Sequence, residues 1–235
     1  MGEGQLRVGT SGYAYKEWKG SFYPEKFPDK KMLEFYAARF STVEVNYTFY
    51  RLPSAKTVEP WIPQTPEGFT FALKATQKIT HIMRLRNAGD LVTAFLQGVQ
   101  PLVEAKRLGP VLFQLPPNFK ADLPLLGDFL SSLPRALRAA VEFRHQSWFD
   151  AATYQCLHDH NAALCIAETE DGRAPLEITA GFAYFRLRKV DYPAEELKAW
   201  RERFEKWRAE GRDLYVYFKH EDQGTAPRYA AALLK

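Results

Sequence analysis

Thr42 to Tyr50 alternates strictly, with Val43, Val45, Tyr47 and Phe49 on one side and Glu44, Asn46 and Thr48 on the other. Side chains two apart on a strand share a face, so the pattern predicts a strand with one apolar and one polar surface. The pattern returns at Val141 to Arg144, where Val141 and Phe143 oppose Glu142 and Arg144. Ser147, followed three residues later by Asp150 and then Ala151, reads as a capping-box-like helix start. His145 to Trp148 then form a tight strand-to-helix turn, the place where α/β proteins keep their chemistry.

Six further strands are predicted, at Gln5–Thr10, Phe69–Ala75, Gly109–Leu115, Ala162–Thr169, Phe182–Arg188 and Leu214–Lys219. Between them run helical stripes: Met32, Leu33, Phe35, Tyr36 and Phe40; a short piece from Ala55 to Trp61; and a helix from Leu91 that Gly98 and Pro101 should kink or break. Others are predicted from Leu123 to Leu133, from Asp150 to His160, from Pro193 to Glu210 with Gly211 as its stop, and from Ala226 to Leu234. The connection between the sixth and seventh strands is short and carries no clear helix. Eight strands, most followed by a helix, predict an α/β fold, a single TIM-like (β/α)8 barrel of eight parallel strands spanning residues 1–235 as one domain.

A chain of 235 residues, 46% hydrophobic and 14% aromatic, has enough apolar surface for such a core. Its net charge of +4 suits an anionic partner but falls short of the charge runs of dedicated nucleic-acid tails. Two cysteines, Cys156 and Cys165, form neither a disulfide framework nor a metal spacing, which points to a reducing compartment and to packing thiols. Neither a basic-then-apolar leader nor a membrane-length apolar run is seen, so a cytoplasmic protein is expected.

The stretches Val8-Gly-Thr-Ser-Gly-Tyr13, Phe22-Tyr-Pro24, Thr42-Val-Glu-Val-Asn46, Phe49-Tyr-Arg-Leu-Pro53, Phe71-Ala-Leu-Lys74, Ile79-Thr-His81, Gly109 to Pro117 and Val141-Glu-Phe-Arg-His145 with Trp148 together resemble the YecE-like family, domain of unknown function 72. The likeness runs from about Leu6 to Tyr229. It implies a TIM-like barrel and no particular activity. Arg188-Lys189 stands where many members carry His-Gly, and Lys219-His220-Glu221 where many carry asparagines, so substrate choice here is expected to differ if those positions touch substrate.

Glu44, Asn46, Lys74, Gln114, Glu142, Arg144 and Arg186 share the inward parity of their strands. Burying several charges costs several kcal/mol per ion unless they are paired, and a plain barrel interior prefers Val, Ile and Leu. Two readings follow. One is a salt-bridged plug, with Glu142 pairing Arg144 or Arg186 and Glu44 pairing Lys74. The other is a site at the C-terminal mouth of an enzyme acting on a small phosphate- or carboxylate-bearing substrate. In that reading Glu44, Lys74 and Glu142 are the catalytic candidates, the carboxylates as acid and base and Lys74 as an electrostatic catalyst or low-pKa amine. Tyr13, Asn46, His81, Gln114, Arg144, His145, Trp148, Arg186 and Lys219 are the binding candidates.

The basic loop carrying Lys78, His81, Arg84 and Arg86 reads as a lid or anion funnel, the cations after strands seven and eight as a phosphate cradle, and the backbone at Ser11 and Gly12 as a weak donor pair. A nucleic-acid-binding barrel, possibly a metal-assisted nuclease, would use Tyr13, Trp18, Tyr50 and Trp148 for stacking. Glu168, Glu170, Asp171, His81, His145, His220 and Glu221 would supply any divalent metal, but their spacing forms no motif, and neither metal nor cofactor is expected. A non-catalytic scaffold is the third reading.

Overall fold

The computed structural model describes residues 2–219 and 223–235. In chain order its elements are β1 (Leu6–Thr10), α1 (Met32–Ala37), β2 (Thr42–Val45), α2 (Tyr47–Tyr50), α3 (Ala55–Val58), β3 (Thr70–Lys74), α4 (Gly89–Gly98), α5 (Gln100–Glu104), β4 (Leu108–Gln114) and α6 (Leu123–Ser132). There follow β5 (Ala139–Glu142), α7 (Ala151–Asp159), β6 (Ala163–Thr169), β7 (Gly172–Arg173), β8 (Phe182–Leu187), α8 (Ala194–Ala209), β9 (Asp213–Phe218) and α9 (Thr225–Leu233). Eight of the strands form one parallel sheet in the order β1-β9-β8-β6-β5-β4-β3-β2, while β7 folds back antiparallel on β6. The sheet nearly closes into the expected barrel.

Its seam lies between β1 and β2. Gly12 N–H donates to the Glu44 carbonyl at 2.8 Å at the C-terminal end. Deeper in, the Tyr36 hydroxyl does the bridging, accepting from Thr10 N–H at 2.7 Å and donating to the Thr42 carbonyl at 3.0 Å. Gly9 makes this possible: a Cβ there would stand 2.1 Å from the Thr42 oxygen and 2.8 Å from the Tyr36 hydroxyl. Such an approach is open to glycine alone.

The interior is filled by unequal side chains. Ala72, Ala140 and Ala163 leave room on one wall that Phe182, Tyr184, Tyr215 and Tyr217 of β8 and β9 occupy, all buried. Pairing small with large is how a small barrel reaches interior packing density. The opposite faces of the strands, with Val43, Leu73, Phe113, Ile166 and Phe185 among them, join the helices in a second apolar layer.

Three sequence expectations need correction. The alternation after Val45 is not strand: Asn46 turns into the helical region (φ −94°, ψ −12°) and Tyr47–Tyr50 form one helical turn, tied by the Thr48 hydroxyl donating to the Lys74 carbonyl at 2.7 Å. The start of α7 is capped by Asp150, whose carboxylate accepts from Thr153 N–H at 2.7 Å, while Ser147 instead accepts from Ala121 N–H at 2.8 Å. β5 stops at Glu142, so Arg144 lies beyond the ladder and is exposed. Gly98 and Pro101 do divide one helix into α4 and α5, and β6 and β8 are linked without a helix.

Gly9→Ala should lower unfolding free energy by about 1–3 kcal/mol through forced displacement at the seam. Gly127→Ala in α6, where the new methyl meets nothing nearer than Cys156 Sγ at 3.9 Å, should raise it by about 0.5–1 kcal/mol. Urea titration of both variants checks the contrast.

Candidate functional site

Parallel strands end on a common rim, which brings the last polar residues of β3, β4 and β5 to one level with Arg186 of β8. Arg186 crosses the barrel. Its Nη2 donates to Glu44 Oε1 at 2.9 Å and its Nη1 to Glu142 Oε2 at 2.6 Å, with all three side chains almost wholly buried. Glu44 also accepts from the hydroxyls of Ser11 and Tyr184, the latter at 2.7 Å. Asn46 Nδ2 holds the Ser11 oxygen at 2.9 Å. Glu142 Oε1 accepts from Gln114 Nε2 at 2.8 Å and from Arg188 Nη2 at 3.0 Å. The Gln114 carbonyl then takes a hydrogen bond from Lys74 Nζ at 2.8 Å, and that ammonium lies 3.9 Å from the centre of the Phe49 ring.

Above this network opens a cavity of about 350 Å³, walled by Lys74, Arg144, Arg186, Arg188 and Lys219 together with Tyr15, Asn46, Phe49, Tyr50 and Gln114. Five cationic side chains therefore face it, while the two carboxylates below are already fully hydrogen-bonded. Burial pushes the Glu142 carboxyl up, but the charges of Arg186 and Arg188 outweigh it and draw the group down to about 2. Glu44 is likewise pulled below its ordinary value by Arg186, Ser11 and Tyr184 against the effect of burial. Lys74 is lowered to about 8 by desolvation and by the charge of Arg186 beside it. Cys165 Sγ, 3.9 Å from Glu142 Oε2, is raised well above the usual thiol range by burial and by that carboxylate, and stays a protonated packing group.

The structure thus brings Glu44, Asn46, Lys74, Gln114, Glu142, Arg144, Arg186 and Lys219 together at the mouth. Arg186 pairs with Glu142 as one alternative had it, but Lys74 bonds Gln114 rather than Glu44, and Arg144 makes no hydrogen bond or ion pair with a described residue. Other candidates lie elsewhere. Trp148 is fully buried, stacked on Phe143 at 4.6 Å with its indole N–H on the Phe119 carbonyl at 2.7 Å, and Trp18 is fully buried too. His145 Nδ1 caps its own turn, accepting from Ser147 N–H at 3.2 Å. His81 sits in a π-helical turn, Lys78–Ile82, edge-on to Phe49 at 5.0 Å. Tyr13 lines a neighbouring apolar pocket.

Arg84 and Arg86 of the basic loop are spent on Asn118 and Asp122, both at 3.0 Å. Lys189 is held by Glu196 at 2.7 Å. The N–H groups of Ser11 and Gly12 are used by the sheet, bonding the Phe218 and Glu44 carbonyls, so they offer no donors to an anion. Glu168 faces the helix layer, accepting from Trp200 Nε1 at 3.2 Å, and among the described residues no His, Cys, Asp and Glu group is assembled for a metal. His220 and Glu221 lie outside the described residues. Strand parity misses Tyr184, which lies two positions before Arg186 on the same strand face, whereas Arg188, one residue past β8, is one of the cations after strand seven expected to cradle a phosphate.

A family model described as "Protein of unknown function DUF72" matches residues 7–235. The chain is 43% identical to the UPF0759 protein YecE of Escherichia coli (strain K12) over 118 residues, which is 50% of this chain and 43% of that one. It is 31% identical to the UPF0759 protein YunF of Bacillus subtilis (strain 168) over 160 residues, 64% of this chain and 54% of that one. The matches span about half the length of these curated relatives. Among solved structures, a DUF72 family protein from Thermotoga maritima MSB8 superposes with a TM-score of 0.85 at 29% identity, covering 98% of both chains. A DUF72 family protein from Enterococcus faecalis V583 gives 0.80 at 21% identity, covering 99% of this chain and 97% of that one, a likeness of fold.

The ion network makes a prediction of its own. Both carboxyls are depressed in the folded state, so the stability they contribute is complete above the ordinary carboxyl value near 4.5 and is lost as pH falls towards about 2. Arg186→Met removes the shared cation and should cost about 3–5 kcal/mol at pH 7. Because Glu44 then has no charged partner, the variant should regain stability between pH 7 and 5, a range over which the network's contribution in the parent protein stays constant. Denaturant titrations across pH measure both slopes.

Proposed function

The chain belongs to the DUF72 family, whose description carries no reaction, and from the cavity itself we propose that it is an enzyme acting on a small phosphate- or carboxylate-bearing molecule at the C-terminal mouth of the barrel. The observation that carries the reading is positive charge at the cavity wall: five cationic side chains line it, Glu44 and Glu142 are consumed beneath it by Arg186 and Arg188, and Lys74 and Arg144 pair with no carboxylate among the described residues. Guanidinium groups bind such anions through paired N–H donors, and in a cavity shielded from water each contact gains strength.

Roles divide by titration. Glu44 and Glu142 are ionised and hydrogen-bonded on both oxygens, which suits them to holding Arg186 and Arg188 in place rather than to moving protons near neutral pH. Lys74, tuned to about 8 and open to the cavity, is the group suited to stabilise or protonate a developing negative charge on substrate. The nucleic-acid alternative has less support, because two of its four stacking rings, Trp18 and Trp148, are fully buried.

Calorimetric titration with inorganic phosphate and with acetate tests the reading. At least one should bind at pH 7 and weaken as pH rises through about 8, where Lys74 loses its proton. Lys74→Gln should remove that pH step, and Arg188→Gln should weaken binding about tenfold or more. Absence of binding by either anion, or binding indifferent to both substitutions, contradicts the proposal.

A further inference from the structure

Beside the cationic cavity lies a second hollow of about 410 Å³ with a different character. Its walls are mainly aromatic and apolar: Tyr13, Tyr15, Val45, Tyr47 and Trp61, with Asn46 as a polar contributor. Tyr15 and Asn46 belong to both cavities, so the two adjoin with these side chains between them. The dividing residues are fixed by the barrel itself, since the Tyr15 hydroxyl donates to the Ser11 carbonyl at 2.7 Å and the Asn46 amide holds the Ser11 hydroxyl at 2.9 Å. Tyr47 presents its ring with 46% of its surface exposed, and Trp61 is braced from behind by Phe71 at 5.3 Å.

Two adjoining chambers, one cationic and one lined by rings, match a ligand that is itself divided. We propose that the substrate is a small anion bearing a flat aromatic ring, with the phosphate or carboxylate among Lys74, Arg144 and Arg188 and the ring between Tyr47 and Trp61. The inference rests on the anion-binding reading and adds the apolar half of the substrate. Ring faces accept any planar partner in offset or edge contact, whereas an aliphatic chain would gain no such geometry. The combined space suits a small metabolite. Asn46, at the shared wall and with its carbonyl oxygen uncommitted among the described hydrogen bonds, is placed to take a donor from the linker between the two halves.

The test compares matched pairs by calorimetry: inorganic phosphate with phenyl phosphate, and acetate with phenylacetate. In whichever series the parent anion binds, the aryl member should bind about tenfold or more tightly, from the apolar surface its ring buries. Trp61→Ala should abolish that gain and leave the parent anion's affinity unchanged. Thr57 also lines the apolar chamber, and Thr57→Trp, which fills it without removing a packed ring, should do the same and covers the case in which Trp61→Ala fails to fold. Aryl and parent anions of equal affinity, or a gain that survives Thr57→Trp, overturn the inference and leave the anion reading standing. If none of the four compounds binds, both fall together.

Discussion

Arg186 spans the barrel between two carboxylates that face each other from β2 and β5, and most of what is distinctive about the mouth depends on that bridge. An arginine buried alone would be prohibitive, and so would either glutamate. Together, with Ser11, Tyr184, Gln114 and Arg188 completing the donor set, they form a charged layer in a place where barrels ordinarily stack branched aliphatics. Replacing such a layer with hydrophobic residues of equal volume is often neutral or stabilising, so the layer is weak evidence for stability and better evidence for a requirement at the rim.

The layer also fixes the electrostatics above it. Because Glu44 and Glu142 are committed below to Arg186 and Arg188, Lys74 and Arg144 face the cavity without a carboxylate partner among the described residues. Gln114 passes the constraint along by accepting from Lys74 and donating to Glu142, which places the ammonium against Phe49 and away from either carboxylate. Desolvation and the charge of Arg186 then outweigh the pull of Glu142 and Glu44 on Lys74, and its lowered proton affinity follows. One contiguous network thus sets charge, position and titration at the mouth.

Strand parity made much of this legible. Period-two alternation placed Glu44, Lys74, Gln114, Glu142 and Arg186 on one interior surface, and the count of strands gave the barrel in which they meet. What parity cannot carry is where a strand ends. Tyr47 and Phe49 continue the alternation of β2 yet sit in a helical turn, because Thr48 and Lys74 make a tertiary hydrogen bond invisible in the local pattern. Arg144 has the parity of Glu142 but lies past the ladder, and so points to the mouth instead of the core. Trp148 and His145 sit in the strand-to-helix turn that the sequence predicts, but the indole is the packing that holds the turn down, and the imidazole its cap. Tyr15 belongs to an irregular segment, where periodicity says nothing, and Trp61 ends a three-residue 3-10 turn, Glu59–Trp61, too short to show which way its ring faces.

A barrel fold admits many chemistries, so the account stands or falls on the mouth and not on the architecture. The most direct measurement is anomalous diffraction from crystals soaked in selenate, a heavy-atom analogue of a small oxyanion. An ordered selenium peak is expected within hydrogen-bonding reach of Lys74, Arg144 or Arg188. A mouth without such a peak, in crystals where selenate orders elsewhere on the molecule, would contradict it.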